Sequence, residues 1–111
     1  DIKDLGDFFK PARDPPSGDE KDEIDAIFEE ANRKHADEDF DGAIEDYSKI
    51  NELYPCKEAH LNIGLCKVEL DDMDGAVESY DKALDMDGAY SSAYYNKGLI
   101  LEMRGELEDA L

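Results

Sequence analysis

A chain of 111 residues suits one domain with a modest core. Its 31 acidic side chains against 12 basic ones give a net charge of −19, which repels a nucleic-acid backbone or an anionic membrane surface and favours basic partners. The longest apolar runs are about three or four residues, far short of the roughly 20 that cross a bilayer, so no membrane insertion is expected.

No cationic-then-apolar signal segment opens the chain. It begins at Asp1 and stops at Leu111 in mid-pattern, which reads as a piece of something longer. Cys56 and Cys66 are the only cysteines, and Cys66 lies within an apolar helical stretch. Reduced core and loop thiols are therefore expected rather than a staple or a metal pair, and with them a cytoplasmic setting.

Residues 1–19 form an irregular segment, because Gly6, Pro11, Pro15, Pro16 and Gly18 interrupt any regular element. Leu5, Phe8 and Phe9 make a small apolar cluster there, read as docking on the domain or entering a groove. Ser17 followed three residues later by Glu20 fits a capping box, so a helix is predicted from about Gly18–Glu20 to about Asp37, with Ile24, Ile27, Phe28 and Ala31 on its buried side. Further short amphipathic helices are predicted at about 40–53, 57–70, 73–86 and 90–103, with another opening at 107. The gaps between them allow only antiparallel hairpins.

The segment repeats itself. Phe40-Asp-Gly-Ala43-Ile44-Glu45-Asp-Tyr47 recurs as Met73-Asp-Gly-Ala76-Val77-Glu78-Ser-Tyr80, 33 residues on, and Leu107-Glu-Asp-Ala110-Leu111 starts it again after 34. Ala31, Gly64 and Gly98 keep the same time. A small residue on one helix and an alanine twelve residues later let two backbones approach, while the aromatic four positions on closes the hairpin core. Such pairs stack because no single pair can bury both of its apolar faces.

Asp37, Asp39 and Asp41 also resemble the first half of a calcium loop. The bidentate Glu that such a loop needs at its twelfth position is Ser48, and in the second copy Leu70 stands in place of the first ligand. Capping of the next helix is the better reading. Cys56, His60 and Cys66 lack a fourth metal ligand, His35 and His60 have no nucleophile at a meaningful spacing, and Gly42 and Gly75 are isolated rather than part of a phosphate loop. No catalytic set, metal or cofactor is expected.

The pattern resembles the tetratricopeptide repeat. The matching residues are Ala31, Phe40, Ala43, Tyr47, Ile50 and Pro55; then Gly64, Met73, Ala76, Tyr80 and Ala83, with Gly88 where proline is usual; then Tyr94, Gly98, Leu101, Leu107 and Ala110. The resemblance implies an all-α, right-handed superhelical solenoid of antiparallel helix pairs over residues 20–111, with repeats at about 24–56 and 57–90 and a truncated third at 91–111. Glu30, Lys34, His60 and Lys67 depart from the family pattern, which suggests an outward-facing end helix in the first repeat.

The resemblance also implies a non-catalytic scaffold that holds a peptide or extended protein segment in a concave groove lined by first helices. Carried over by position, the groove takes Asp25, Phe28, Glu29, Asn32 and His35; Leu61, Asn62, Leu65 and Glu69; and Ser92, Tyr95, Asn96, Leu99 and Met103. Asn62 and Asn96 would grip a peptide unit, since an amide both donates and accepts. Phe28, Leu61, Leu65 and Tyr95 would supply apolar pockets. One branch of the family clamps a C-terminal carboxylate with cationic residues; Asn32 and Asn62 match its asparagines, but Phe28, Ser92 and Asn96 stand where the cations belong. A basic or mixed apolar-basic guest is therefore expected. The alternative is a structural module that self-associates through the uncovered side of residues 91–111.

Overall fold

The computed structural model describes residues 15–110, with side chains through residue 105. The apolar cluster of Leu5, Phe8 and Phe9 and the side chains of Leu107 and Ala110 lie outside the described residues. Five helices follow one another: α1 (Gly18–Ala36), α2 (Phe40–Leu53), α3 (Lys57–Glu69), α4 (Met73–Met86) and α5 (Ser91–Ala110). Each packs against the next as an antiparallel neighbour, so the chain is an all-α stack of helical hairpins.

The two reversals inside the hairpins are built alike. After α1 the Glu38 amide donates to the His35 carbonyl at 3.0 Å and the Asp39 amide to the Lys34 carbonyl at 2.8 Å; after α3, Asp71 donates to Val68 at 2.9 Å and Asp72 to Lys67 at 2.8 Å. This paired closure needs a left-handed residue, and Glu38 (φ 66°) and Asp71 (φ 62°) take that conformation although neither is glycine. The following aspartate then starts the next helix. The Asp39 carboxylate accepts from the Gly42 amide at 3.1 Å and the Asp72 carboxylate from the Gly75 amide at 3.0 Å. A Cβ on Gly42 or Gly75 would lie 2.3 or 2.2 Å from that carboxylate, so glycine leaves room for the cap. The spaced aspartates of the calcium-like segment thus act in helix capping. The predicted capping box at Ser17 does not form: its carbonyl takes the Lys21 amide at 2.6 Å, but its hydroxyl makes no cap bond. Asp19 and Glu20 in the first turn supply the negative charge that a helix start favours.

Within each hairpin a tyrosine lies against a small residue. Tyr47 and Tyr80 are fully buried, as is Ala31. A Cβ added to Gly64 would stand 2.4 Å from the Tyr80 ring, so that contact exists only because the side chain is absent. A buried aromatic of this size removes roughly 150–250 Å² from water, which outweighs the exposed ion pairs on the surface. Ile24, Ala43, Ile50, Ala59, Ile63 and Cys66 complete the first core; Ala76, Ala83, Ala93 and Ile100 complete the second. Lys34, in the first helix expected to face outward, instead turns inward, its Nζ 2.9 Å from Oδ2 of the buried Asp46. The approach is off the hydrogen-bond line, so the oxygen gains an ionic partner without a directed donor.

The third repeat differs from expectation. No new helix opens at 107, because α5 runs unbroken from Ser91 to Ala110. Gly105 occupies the place of Glu38 and Asp71, yet no glycine among the described residues has positive φ. The capping aspartate is replaced there by Glu106, a poorer cap, and the five residues beyond it are too few to nucleate a separate helix, whereas continuing α5 adds one bond per residue. Gly98, the counterpart of Gly64, has nothing within 4 Å of an added Cβ.

Gly64→Ala is therefore expected to lower the unfolding free energy by roughly 1–3 kcal/mol in urea titrations through overpacking. Gly98→Ala is expected to raise it by about 0.5–1 kcal/mol, the ordinary helical gain. Asp72→Ala should cost about 1 kcal/mol by loss of the cap, read from the same titration midpoint.

Candidate functional site

A cavity of about 300 Å³ opens on the side where α1, α3 and α5 approach one another. Its walls come from His35 on α1, from Leu65, Val68 and Glu69 on α3, from Met73 and Tyr80 on α4, and from Asn96, Leu99, Ile100 and Met103 on α5. The surface is mainly apolar, with one imidazole, one amide and one carboxylate. Such a surface can seat an apolar side chain and offers polar anchors at its edge.

The packing explains why these residues meet. Leu65 and Glu69 are one turn apart on α3, as are Asn96 and Ile100, and Leu99 and Met103, on α5. His35 ends α1 with its ring edge-on to Phe40, centroids 5.5 Å apart, and its Nδ1 3.8 Å from Cys66 Sγ. Burial pushes the Cys66 thiol up to about 11, so at neutral pH it stays protonated and unreactive.

Of the nine residues singled out from the sequence, His35, Leu65, Asn96 and Leu99 line this cavity. Phe28 instead packs against Tyr47, ring centroids 6.1 Å apart. Asn32 accepts the Tyr47 hydroxyl at 2.5 Å and so serves the hairpin. Leu61 packs against the second core. Asn62 is half-buried outside the cavity walls, and Tyr95 is 68% exposed. Asn96 donates through Nδ2 to the Ser92 carbonyl of its own helix at 2.7 Å, which leaves its amide oxygen available. Sequence reasoning did not assign Val68, Met73, Tyr80 and Ile100 to the cavity. Val68 and Ile100 continue the apolar spacing of Leu61–Leu65 and of Asn96–Leu99, whereas Met73 and Tyr80 belong to a second helix and reach in only because α4 crosses α3 closely. Among the described residues no three His, Cys, Asp or Glu side chains come together as a metal-binding group, and no helix is long and apolar enough to cross a membrane.

Consecutive antiparallel hairpins, with the first helices sharing one lined face, define a helical-repeat scaffold. A tetratricopeptide repeat family model matches residues 28–91, more than half of the chain, and a second matches residues 79–111. The chain belongs to the tetratricopeptide repeat family, and as such it is a non-catalytic scaffold for binding protein or peptide partners. No curated protein sequence matches the chain.

Burial raises both hairpin tyrosines, Tyr47 and Tyr80, from 10.0 to about 12. Their unfolded counterparts lose protons first as pH rises, so this contribution to stability is complete below pH 10 and is lost as pH climbs towards 12. Circular dichroism should accordingly show the urea midpoint falling between pH 10 and 12. Replacing Tyr47 by Phe should lessen that fall.

Proposed function

We propose that the chain holds an extended segment of a partner protein across the face of α1, α3 and α5, with an apolar side chain of the guest seated in the 300 Å³ cavity. The observation carrying this reading is that side chains from three successive first helices, His35, Leu65 and Asn96, line one surface although they lie about 30 residues apart in sequence. Asn96 would present its amide oxygen to a backbone N–H, and Asn62, one repeat earlier, would hold a second peptide unit. Phe28, Asn32, Leu61 and Tyr95 would act from the margins, the first three chiefly by keeping the hairpins in place. Glu69 beside the cavity and the net charge of −19 favour a mixed apolar-basic guest and steer its approach. The free thiols of Cys56 and Cys66 suit a reducing compartment such as the cytoplasm.

A second reading, self-association through α5, is supported by Tyr94 (56% exposed) and Leu101 (49% exposed) flanking Gly98. Light scattering across concentration separates the two. A stable dimer abolished by Leu101→Asp would favour assembly, and a monomer down to low micromolar concentration would favour the groove.

The groove is tested on an array of mixed apolar-basic peptides. Asn62→Ala with Asn96→Ala, or Leu65→Asp alone, is expected to weaken binding at least tenfold with helicity unchanged. Equal binding by the parent chain and all of these variants would remove the assignment.

A further inference from the structure

A second cavity, of about 220 Å³, lies on the other side of α3, between α2 and α4. Lys67 lines this one and Leu65 the other, and two residues along a helix stand about 160° apart around its axis. Over an apolar floor, Ser48 and Asn51 from α2, His60 and Lys67 from α3, and Ser79 and Lys82 from α4 supply the polar wall. None of the lining residues is acidic, in a chain where 31 of 111 residues are.

The repeat itself explains the local excess of positive charge. Lys67 is Lys34 carried forward by 33 residues, and Ser79 is Asp46 carried forward by the same step. In the first repeat the lysine is neutralised by the buried Asp46 carboxylate. In the second, that carboxylate is replaced by the hydroxyl of Ser79, 4% exposed, and among the described residues Lys67 has no ion-pair partner. Lys82 has only Glu78 on its own helix, at 3.3 Å on the surface. His60 Nδ1 lies 3.4 Å from Asn51 Nδ2; with that amide donating, the imidazole proton sits on Nε2. Burial, and then the nearby Lys82, lower the His60 pKa, so the ring is a neutral donor at neutral pH.

We propose that this cavity binds a phosphate group. Lys67 supplies the charge that Asp46 balances one repeat earlier, Lys82 adds a second, and the Ser48 and Ser79 hydroxyls with the His60 Nε2–H hydrogen-bond to the phosphate oxygens. Donors arriving from three helices suit a tetrahedral anion with several acceptor oxygens better than a planar carboxylate, which accepts in one plane. The phosphate is either inorganic or carried on a side chain of a partner protein. The site is independent of the groove, so loss of either function leaves the other intact.

The test titrates sodium phosphate at neutral pH into the ¹⁵N-labelled chain, against sodium chloride at equal ionic strength. Saturable shifts at His60, Lys67 and Ser79 are expected, absent from the chloride control. Ser79→Asp, which places the first repeat's carboxylate beside Lys67, should lower the affinity at least tenfold with the circular dichroism spectrum unchanged. Lys67→Met should do the same, so the result does not depend on one variant folding. Shifts that fail to saturate, or that persist equally in both variants, would mean an adventitious ion only and would overturn the site. In a second arm, a peptide with one phosphoserine is compared with its unphosphorylated form. Phosphate-dependent binding lost in Lys67→Met assigns a phosphorylated partner, while saturable binding of inorganic phosphate alone assigns the free anion.

Discussion

The structure depends on the contact between an aromatic ring and the backbone of the preceding helix. At Gly64 the ring of Tyr80 occupies the space that a Cβ would need, and at Ala31 the same role is played by a single methyl group beside Tyr47. That approach fixes the spacing of each hairpin. It also fixes the direction in which the remaining apolar surface points, towards the next hairpin, because an isolated helix pair cannot cover both of its faces. Where the ring is missing, at Gly98, the contact stops and the helix runs on without its turn.

Two different surfaces follow on either side of α3. On one, apolar residues from alternate helices leave a cavity with few polar groups, suited to a side chain of another polypeptide. On the other, a serine in place of aspartate leaves a lysine unneutralised inside a chain that is otherwise strongly acidic. The repeat therefore supplies its own comparison, since one step of 33 residues changes a neutralised lysine into an unneutralised one while the surrounding helices stay the same.

Much of the architecture was legible because repetition multiplies weak signals. A single Gly-Ala-x-x-x-Tyr run says little, but three copies in register give the helix pairs, their turns and the small-on-large contacts, and α2 and α4 end where the pattern places them. The capping role of Asp39 was readable from its place before a glycine and an apolar run. Four of the nine groove residues were placed correctly on the cavity, all on the first-helix face. The misses are physical. Position alone cannot tell that Asn32 is committed to the Tyr47 hydroxyl, that Phe28 faces inward to the same ring, or that Met73 and Tyr80 reach across from a neighbouring helix. Lys34 and Lys67 stood out as departures from the family pattern, but the reason, a carboxylate present in one repeat and absent from the next, appears only when the helices are packed.

The most direct measurement is the nuclear Overhauser effect between the Gly64 α-protons and the ring protons of Tyr80 in the intact chain. Ring and backbone in contact should give strong cross-peaks, with the Gly64 α-protons displaced by the ring current. Absence of those cross-peaks in the folded chain, with Gly64 at ordinary helical shifts, would contradict the packing from which both surfaces derive.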